Sequence, residues 1–425
     1  MPDAVTHWND VLLQIVRVGG GPPGPIARGG AMMHAAVSDA VNSIVPTHEA
    51  YRVSVPVAHG ASIEAAIAYA AHDTLAAAFP STTVDIAQEL SLALAGLGPV
   101  ASVSAGKAVG RVCAGAMIAE RSGDGADDKA PYVAGDRPGD WRPTGSGNAA
   151  SPNWPAVKPF GMSSGSQFRA PRPGGYLSKT EMLASDEYAA QFNEVKDLGE
   201  ATSATRTAEQ TEIAVFWAND LDGTYKPPGQ LFDITKTVSN QRGLDVVENA
   251  RLFALVALAM ADAAICAWDA KYATDLDLWR PESAIQMAAT DGNANTAADI
   301  AWQPLSQNGA SRFSPPFPAY VSGHATFGAA HAAIMRRYFG TDNITFTATS
   351  EDPNLPGGVT RTFNSFSSAA RENARSRVYL GVHFQWDGDH GYESGTALAE
   401  YIFASCLRPL TAQSGHGDGI MQLAA

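Results

Sequence analysis

The chain has few cysteines, few aromatic residues and few charges. Three cysteines among 425 residues are too sparse, and too odd in number, for a disulfide framework. Aromatic residues make up 8% and charged residues 17%, whereas hydrophobic residues reach 45%, so a sizeable core can be buried. Alanine is abundant, and it is the strongest helix former. The composition therefore favours an all-α fold of closely packed helices.

Positive charge and long apolar runs are also scarce. The 29 basic residues against 43 acidic ones give a formal net charge of −14, which argues against nucleic acid as a partner. The longest apolar run, residues 252–268, is interrupted by Asp262 and falls short of a membrane span. We therefore expect a protein that is not integral to a membrane. No basic segment followed by an apolar stretch opens the chain, so no signal peptide is expected and the compartment is left open.

Helical patterns dominate the remainder of the chain. Amphipathic or apolar segments predict the following helices: 27–45, 61–80, 84–96, 101–121, 178–197, a segment opened by a capping box at Thr207 and Gln210, 244–271, 324–338, 366–380 and 390–408. No strand-rich region is visible. We expect an N-terminal helical region, residues 1–200, and a C-terminal helical bundle, residues 201–425, forming one compact unit.

A long interval, residues 122–176, is rich in glycine, proline and serine, with Trp141, Trp154 and Phe160 spaced through it. Such an interval in a compact protein is usually a functional loop or a disordered segment. The spaced aromatics favour an ordered loop over the body of the protein, serving either as a cap or as an interface.

Three short stretches carry most of the chemistry. They are KYATDLDLWRP at residues 271–281, VSGH at residues 321–324 and SRVYLGVHFQWD at residues 376–387. Together they supply one lysine, two arginines, a Ser-Gly pair, two histidines and a carboxylate. The set indicates a pocket for a tetrahedral oxyanion.

Each of these residue types suits an oxyanion. Arg280 and Arg377 stay charged in a protein and offer forked donors, and Lys271 adds a point charge. Ser322 adds a hydroxyl, and the amide of Gly323 can approach closely because no Cβ blocks it. A cation at a helix C-terminus also suits the helix dipole, so a purely structural role for Lys271 stays open.

The two histidines have different roles in this interpretation. One of them attacks or ligates the central atom, and the other moves a proton near neutral pH. Asp387 follows His383 by four residues, so on a helix the two side chains would share a face. The carboxylate could then hold the far ring nitrogen and fix the tautomer. His324, in the second stretch, is the other histidine.

At these residues the chain resembles the superfamily of vanadium-dependent haloperoxidases and type 2 phosphatidic acid phosphatases, in particular its bacterial soluble branch. The superfamily pattern is K-x6-R-P, then P-S-G-H, then S-R-x5-H-x3-D. The third motif fits throughout. The second has Val321 in place of proline, and in the first, eight residues separate Lys271 from Arg280 instead of six.

The resemblance implies a haloperoxidase that oxidises halide with hydrogen peroxide to a hypohalous-acid equivalent, which halogenates a small organic acceptor. It implies vanadate as cofactor, with His383 as the vanadium ligand, His324 as the acid–base group and Lys271 polarising bound peroxide. The residues that hold the oxyanion would be Lys271, Arg280, Ser322, Gly323, His324, Arg377 and His383. Phosphate could occupy the same pocket, and a homodimer or higher oligomer is expected.

Two alternatives use the same pocket. One is an acid-phosphatase-like phosphohydrolase in which His383 forms a phosphohistidine and His324 protonates the leaving group. The other is a protein that binds phosphate or vanadate without turnover. Trp268 and Phe317 match positions that line the halide side in the fungal chloroperoxidase type, although both could be core aromatics. The preferred halide and the acceptor are left open.

Overall fold

The structure is a computed structural model, which describes residues 3–56, 60–129, 131–145 and 147–410. Fourteen α-helices account for most of these residues, so the expected all-α fold is confirmed. The helices are α1 Ala4–Gly19, α2 Pro23–Ile44, α3 Ile63–Ala78, α4 Ile86–Leu94, α5 Val100–Arg121, α6 Lys179–Leu183, α7 Asp186–Gly199, α8 Ala208–Phe216, α9 Lys226–Arg242, α10 Val246–Tyr272, α11 Pro281–Gln286, α12 Gly323–Phe339, α13 Phe366–Tyr379 and α14 Gln385–Ser405.

Strand structure within the described residues is limited to two small antiparallel hairpins. The first pairs β1 (Gln307–Asn308) with β2 (Ser311–Arg312), and the second pairs β3 (Phe346–Thr349) with β4 (Thr360–Phe363). Neither was expected from the sequence, because each strand has four residues or fewer and such segments show little periodicity.

Helix α10 lies at the centre of the protein. A capping box stabilises its first turn. The Asp245 side chain accepts a hydrogen bond from the backbone amide of Glu248, and the Glu248 side chain accepts one from the backbone amide of Asp245. It packs against α2 on one side and α12 and α14 on the other. Its length and composition would allow it to cross a membrane, but 94% of its most apolar window is buried in the protein. It therefore serves as a core helix here, and its last turn brings Lys271 into the interior.

Helices α12 and α14 pack closely because two glycines of α14 face α12. A Cβ at Gly395 would lie 2.3 Å from the carbonyl oxygen of Thr326, and one at Gly391 would lie 2.8 Å from that of Ser322. The backbones can approach only because no side chain separates them. This contact holds the start of α12 against the start of α14, where the second and third motifs lie.

Several element boundaries differ from the sequence predictions. Helices α1 and α9 were not predicted, and the segment 178–197 is divided into α6 and α7. Helix α14 starts at Gln385, five residues before the predicted start, so Asp387 is in its first turn and His383 lies just before it. The proposed division near residue 200 stays a prediction.

The interval 122–176, described apart from residues 130 and 146, is ordered over the body of the protein. Trp141, Trp154 and Phe160 are all buried. The carboxylate of Asp262, fully buried in α10, accepts hydrogen bonds from the backbone amides of residues 160–162 at 2.7–2.8 Å. The Asp262 side chain that interrupts the apolar run therefore anchors this loop to the core helix.

Candidate active site

The His383 ring is held from both sides. Its Nδ1 lies 2.8 Å from Oδ2 of Asp387, and its Nε2 lies 3.0 Å from Nη1 of Arg280. A guanidinium can only donate, so Nε2 accepts and the ring proton is on Nδ1, where it is donated to the carboxylate. Burial and the neighbouring cations lower the pKa of His383 well below its usual range. The ring is therefore neutral near pH 7, with the Nε2 lone pair on the side of the cations.

Lys271 and Arg280 come together despite the two extra residues between them. The loop from Ala273 to Trp279 absorbs the excess, with Asp277 in the left-handed region at φ +36°. Both cations lie over one ring: Nζ of Lys271 is 5.0 Å from the Phe317 centroid and Cζ of Arg280 is 4.7 Å from it. The departure from the family spacing therefore leaves Lys271 inside the pocket.

Lys271 keeps one donor free of the protein backbone. Its Nζ donates to the carbonyl oxygens of Pro318 at 2.7 Å and Ala319 at 2.9 Å, and an ammonium has three donors. The side chain is fully buried, and burial together with the charge of Arg280 lowers its pKa well below the usual range. An anion in the pocket would favour the charged form of Lys271 and would offset the unfavourable burial of its ammonium.

The second motif forms the start of α12. Ser322 is the N-cap residue, and its Oγ accepts from the amide of Ala325 at 3.3 Å, which leaves the hydroxyl proton available for donation. Gly323 is the first helical residue, and a Cβ there would lie 3.3 Å from the Trp268 ring. The N-terminal amides of a helix attract anions. His324 follows in the first turn.

The ring of His324 is oriented by a backbone carbonyl. Nε2 donates to the carbonyl oxygen of Ala218 at 3.1 Å, so Nδ1 is the nitrogen that can accept a proton. Burial lowers the pKa of His324 to about 4, with the charge of Arg377 acting in the same direction. The carboxylate of Asp220, 3.9 Å from Nε2, acts in the opposite direction.

Asp220 is the site residue that the sequence did not single out as a component. In the structure its Oδ2 accepts from Nη2 of Arg377 at 2.9 Å. Asp220 lies 157 residues from Arg377 in the sequence, so no spacing rule could have placed it.

The donor atoms fit a bound oxyanion. Nη2 of Arg280 and both Nε and Nη1 of Arg377 are buried and have no hydrogen-bond partner among the described residues. Leaving buried charged donors unpaired is unfavourable, so these atoms indicate a ligand rather than a packed core. Three cations face two carboxylates, Asp220 and Asp387. Within the described residues no cluster of three or more His, Cys, Asp or Glu suited to a cation is present.

A small cavity of about 20 Å³ opens onto these groups. Its lining combines polar residues of the site with a wall of prolines and aromatics: Pro23, Asp220, Pro227, Trp268, Pro315, Phe317, Gly323, His324, Phe327, Arg377 and His383. The Trp268 and Phe317 ring centroids are 4.9 Å apart. The structure therefore places both predicted halide-side aromatics at the cavity.

The 122–176 loop reaches this wall. The carbonyl oxygen of Ala150 accepts from Nε1 of Trp268 at 3.2 Å and from the hydroxyl of Tyr272 at 3.1 Å, and the Ala150 amide donates to Pro316 at 2.8 Å. The loop thus covers the aromatic side of the pocket.

Several known proteins resemble this chain in sequence and in fold. Residues 251–411 match the family model for the VCPO second helical-bundle domain. The vanadium chloroperoxidase of Curvularia inaequalis is 30% identical over 300 residues, which cover 59% of this chain and 47% of that protein, so the match spans about half of its length. The crystal structure of the first bacterial vanadium-dependent iodoperoxidase aligns with a TM-score of 0.79 at 25% identity, over 96% of each chain. The chain is therefore similar to vanadium haloperoxidases in sequence and in fold.

A further structural neighbour extends the comparison of folds. The apo-type bacterial vanadium-dependent chloroperoxidase has a TM-score of 0.72 at 20% identity, over 92% of this chain and 97% of that one. Both structural matches extend over the N-terminal region, where the sequence carries no site motif. The fold therefore spans nearly the whole chain.

Two further histidines, His331 and His390, lie on helices α12 and α14. His331 is buried and pairs with the hydroxyl of Thr235 at 3.1 Å, away from the anion donors. His390 pairs through Nδ1 with the hydroxyl of Tyr320 at 2.7 Å. Tyr320 directly precedes the second motif, so His390 touches the site only through the backbone of that turn.

Proposed function

We propose that this protein is a vanadium-dependent haloperoxidase that oxidises halide with hydrogen peroxide. The observation that carries the proposal is the buried group of three cations, with unpartnered guanidinium donors, beside a histidine whose Nε2 lone pair faces them. The similarity to vanadium haloperoxidases, among them a chloroperoxidase and an iodoperoxidase, supports it.

Five residues would hold the oxygens of vanadate. Arg280 and Arg377 would use their unpartnered N–H groups, Lys271 its third ammonium donor, Ser322 its hydroxyl and Gly323 its amide. When bound, vanadate supplies a Lewis acid that activates hydrogen peroxide towards halide without a change of metal oxidation state. Phosphate, which has the same shape and charge, would be held by the same donors.

His383 would be the vanadium ligand. Its proton is fixed on Nδ1 by Asp387, so Nε2 offers a lone pair without any rearrangement of the tautomer. The guanidinium of Arg280 now donates to that lone pair, and it would turn its donor towards an oxygen of the anion instead. A carboxylate that accepts the proton of the other ring nitrogen raises the basicity of a ligating imidazole.

His324 would move the protons of the reaction. Nε2 is committed to the Ala218 carbonyl, so Nδ1 accepts and returns the proton. A bound anion next to the ring would raise the low pKa of His324 towards neutrality, because it favours the protonated form. The group would then titrate in the range in which general acid–base catalysis is efficient.

The cavity restricts what reaches the oxidising centre. A space of about 20 Å³ next to Trp268 and Phe317 admits a halide, peroxide or water but not a typical organic acceptor. We infer that a hypohalous-acid equivalent leaves the pocket and halogenates the acceptor outside it. The apolar wall would limit competition from water.

The test is vanadate-dependent halogenation. The purified protein is loaded with orthovanadate and assayed with hydrogen peroxide, a β-diketone and chloride, bromide or iodide in turn. Halogenation that requires vanadate would support the proposal and rank the halides.

His383→Ala is expected to abolish vanadate retention, and full retention would refute the ligand assignment. His324→Ala should lose turnover more than binding, and equal loss would count against its acid–base role.

A second candidate is a phosphohydrolase with the same residues in changed roles. The observation in its favour is the His383–Asp387 pair, because a neutral imidazole held by a carboxylate is also suited to attack phosphorus. The discriminating assay is hydrolysis of a chromogenic phosphate ester by the vanadate-free protein. Phosphate release that vanadate inhibits, without halogenation under any halide, would move the protein to this class.

A further inference from the structure

Asp220 lies on the loop that joins α8 to α9, and this loop contacts His324 twice. The Ala218 carbonyl accepts from Nε2 of His324, and the Asp220 carboxylate lies 3.9 Å from the same atom and 2.9 Å from Nη2 of Arg377. Residues 218–220 therefore orient both the proposed acid–base group and one of the anion-binding arginines. Whatever fixes the conformation of this loop also fixes the geometry of the site.

The loop adopts a backbone conformation that needs support. Asn219 has φ +44° and Lys226 has φ +59°, the left-handed region that residues other than glycine seldom occupy. Such a conformation is unfavourable, and it persists only where surrounding contacts stabilise it. The connection between β3 and β4 stabilises the left-handed conformation of Asn219, because the Asn219 Oδ1 accepts a hydrogen bond from the amide of Glu351 at 3.0 Å.

The side chain of Lys226 supplies the second support. It folds back over the loop, and its Nζ donates to the carbonyl oxygen of Asp220 at 2.7 Å and to Oδ1 of Asp222 at 2.8 Å. The Lys226 side chain is only 8% exposed, whereas that of Asp222 is 85% exposed. An ion pair with so exposed a carboxylate contributes little to stability, so the bond to the Asp220 backbone is the contact that matters.

Lys226 also acts on Asp220 through charge. Burial by itself would raise the pKa of Asp220, but the nearby charges of His324, Arg377 and Lys226 bring it below its usual value. The carboxylate is therefore ionised under the conditions of any assay near neutral pH. A buried ammonium that bonds to the carbonyl of the same residue keeps that charge in place.

We propose that Lys226 is a positioning residue for this site. Its ammonium clamps the 218–226 loop so that Asp220 meets Arg377 and His324 in the right geometry. No hydrogen bond joins Lys226 to His324 or Arg377 among the described residues. Lys226 acts on His324 through the backbone of residues 218–220 and on Arg377 through the Asp220 carboxylate. The turnover measurement that tests this inference rests on the proposed function, because it requires halide oxidation. The binding measurement requires only that the pocket binds orthovanadate.

The test compares Lys226→Met, which keeps the length and removes the donor, with the matched control Asp222→Asn, which removes only the exposed partner. We measure the Kd of orthovanadate by calorimetry, the kcat and KM of bromide oxidation, and the melting temperature. Lys226→Met is expected to lower kcat about tenfold, as misplacement of a catalytic group does. It should weaken orthovanadate binding several-fold while the KM for peroxide stays within twofold. Asp222→Asn should stay within twofold of wild type throughout.

The decisive experiment introduces Lys226→Met into a protein that already carries Asp220→Asn and compares the double variant with Asp220→Asn alone. If Lys226 positions Arg377 through the Asp220 carboxylate, Lys226→Met changes the Kd of orthovanadate by less than twofold in that background. A full effect on Kd in that background, or wild-type values for Lys226→Met alone, would overturn the proposal. If Lys226→Met does not fold, Lys226→Ala takes its place. Lys226→Gln keeps a donor for the Asp220 carbonyl without the charge, so it is expected to restore kcat and Kd to within twofold of wild type, and values equal to those of Lys226→Met would overturn the clamp.

The two measurements separate failure of this proposal from failure of the proposed function. If the wild-type protein binds orthovanadate but oxidises no halide, the haloperoxidase assignment fails while the Kd series still tests Lys226. If halide oxidation is present and Kd and kcat are unmoved by Lys226→Met, only the positioning role is refuted.

Discussion

Replacing Asp387 by asparagine tests the electrostatic design of the site most directly. The Asp387 carboxylate is fully buried, accepts the Nδ1 proton of His383 at 2.8 Å and accepts the amide of Phe384 at 3.2 Å. Burial raises the pKa of Asp387 to about 7, whereas the charges of Lys271 and Arg280 act in the opposite direction and favour the ionised form. Asparagine has nearly the same shape, so Asp387→Asn removes charge while leaving the packing intact.

The magnitude follows from the bond that is weakened. A hydrogen bond to a charged group contributes about 1.5–3 kcal/mol, roughly twice as much as a neutral one. Its loss corresponds to about a 10- to 100-fold weaker metal site, since 1.4 kcal/mol is a factor of ten. The asparagine amide could also donate to Nδ1, which would move the ring proton to Nε2 and block the lone pair that faces the pocket.

The assay is the Kd of orthovanadate at neutral pH by calorimetry, with the melting temperature as a check on folding. The matched control is Asp389→Asn on the same helix, because Asp389 is exposed and bonds only to Gln385 among the described residues. The control should bind orthovanadate as the wild type does. An Asp387→Asn protein that folds and binds orthovanadate within twofold of wild type would refute the role assigned to this carboxylate.

Three further predictions concern the ligand, the core and the helix packing. Orthovanadate at a hundred times its Kd should raise the free energy of unfolding by about 2.7 kcal/mol, and an unchanged melting temperature would contradict a buried anion site. The pKa of buried His331 is lowered by burial to about 3, so its neutral form stabilises the fold above pH 6.5 and that stability is lost as the pH falls towards 3. Urea unfolding between pH 7 and pH 5 should show a steeper loss for wild type than for His331→Gln, and equal slopes would disprove the assignment. Gly395→Ala should lower stability by about 1–3 kcal/mol through its clash with α12, whereas Gly115→Ala, with open space around it, should not destabilise the protein; equal melting temperatures would contradict the packing argument.

The sequence was sufficient for features that depend on short-range patterns. Alanine-rich periodicity predicted the helices, and the capping box at Thr207 and Gln210 is present as expected. The carboxylate four residues after His383 also bonds to it as expected, although His383 lies before the helix and not within it. Caps, helix periods and i, i+4 neighbours are fixed within a few residues, which is why they can be read from the chain.

The positions of separate motifs relative to one another needed the tertiary structure. The two extra residues after Lys271 left its place in the pocket uncertain, and only the Ala273–Trp279 loop shows how they are accommodated. Likewise, the 122–176 loop could be a cap or an interface by composition, and its bond from Ala150 to Trp268 places it over the aromatic wall.

The sequence by itself determined a helical protein, and it predicted an oxyanion pocket formed by seven motif residues: Lys271, Arg280, Ser322, Gly323, His324, Arg377 and His383. The tertiary structure alone decided that Asp220 joins them and that Lys226 holds the Asp220 loop. Asp220 and Arg377 are 157 residues apart, and they meet because the glycine-mediated contact of α12 with α14 and the packing of α8 against α13 bring their loops together. Packing of this kind depends on surfaces assembled from the whole chain, so no local pattern specifies it.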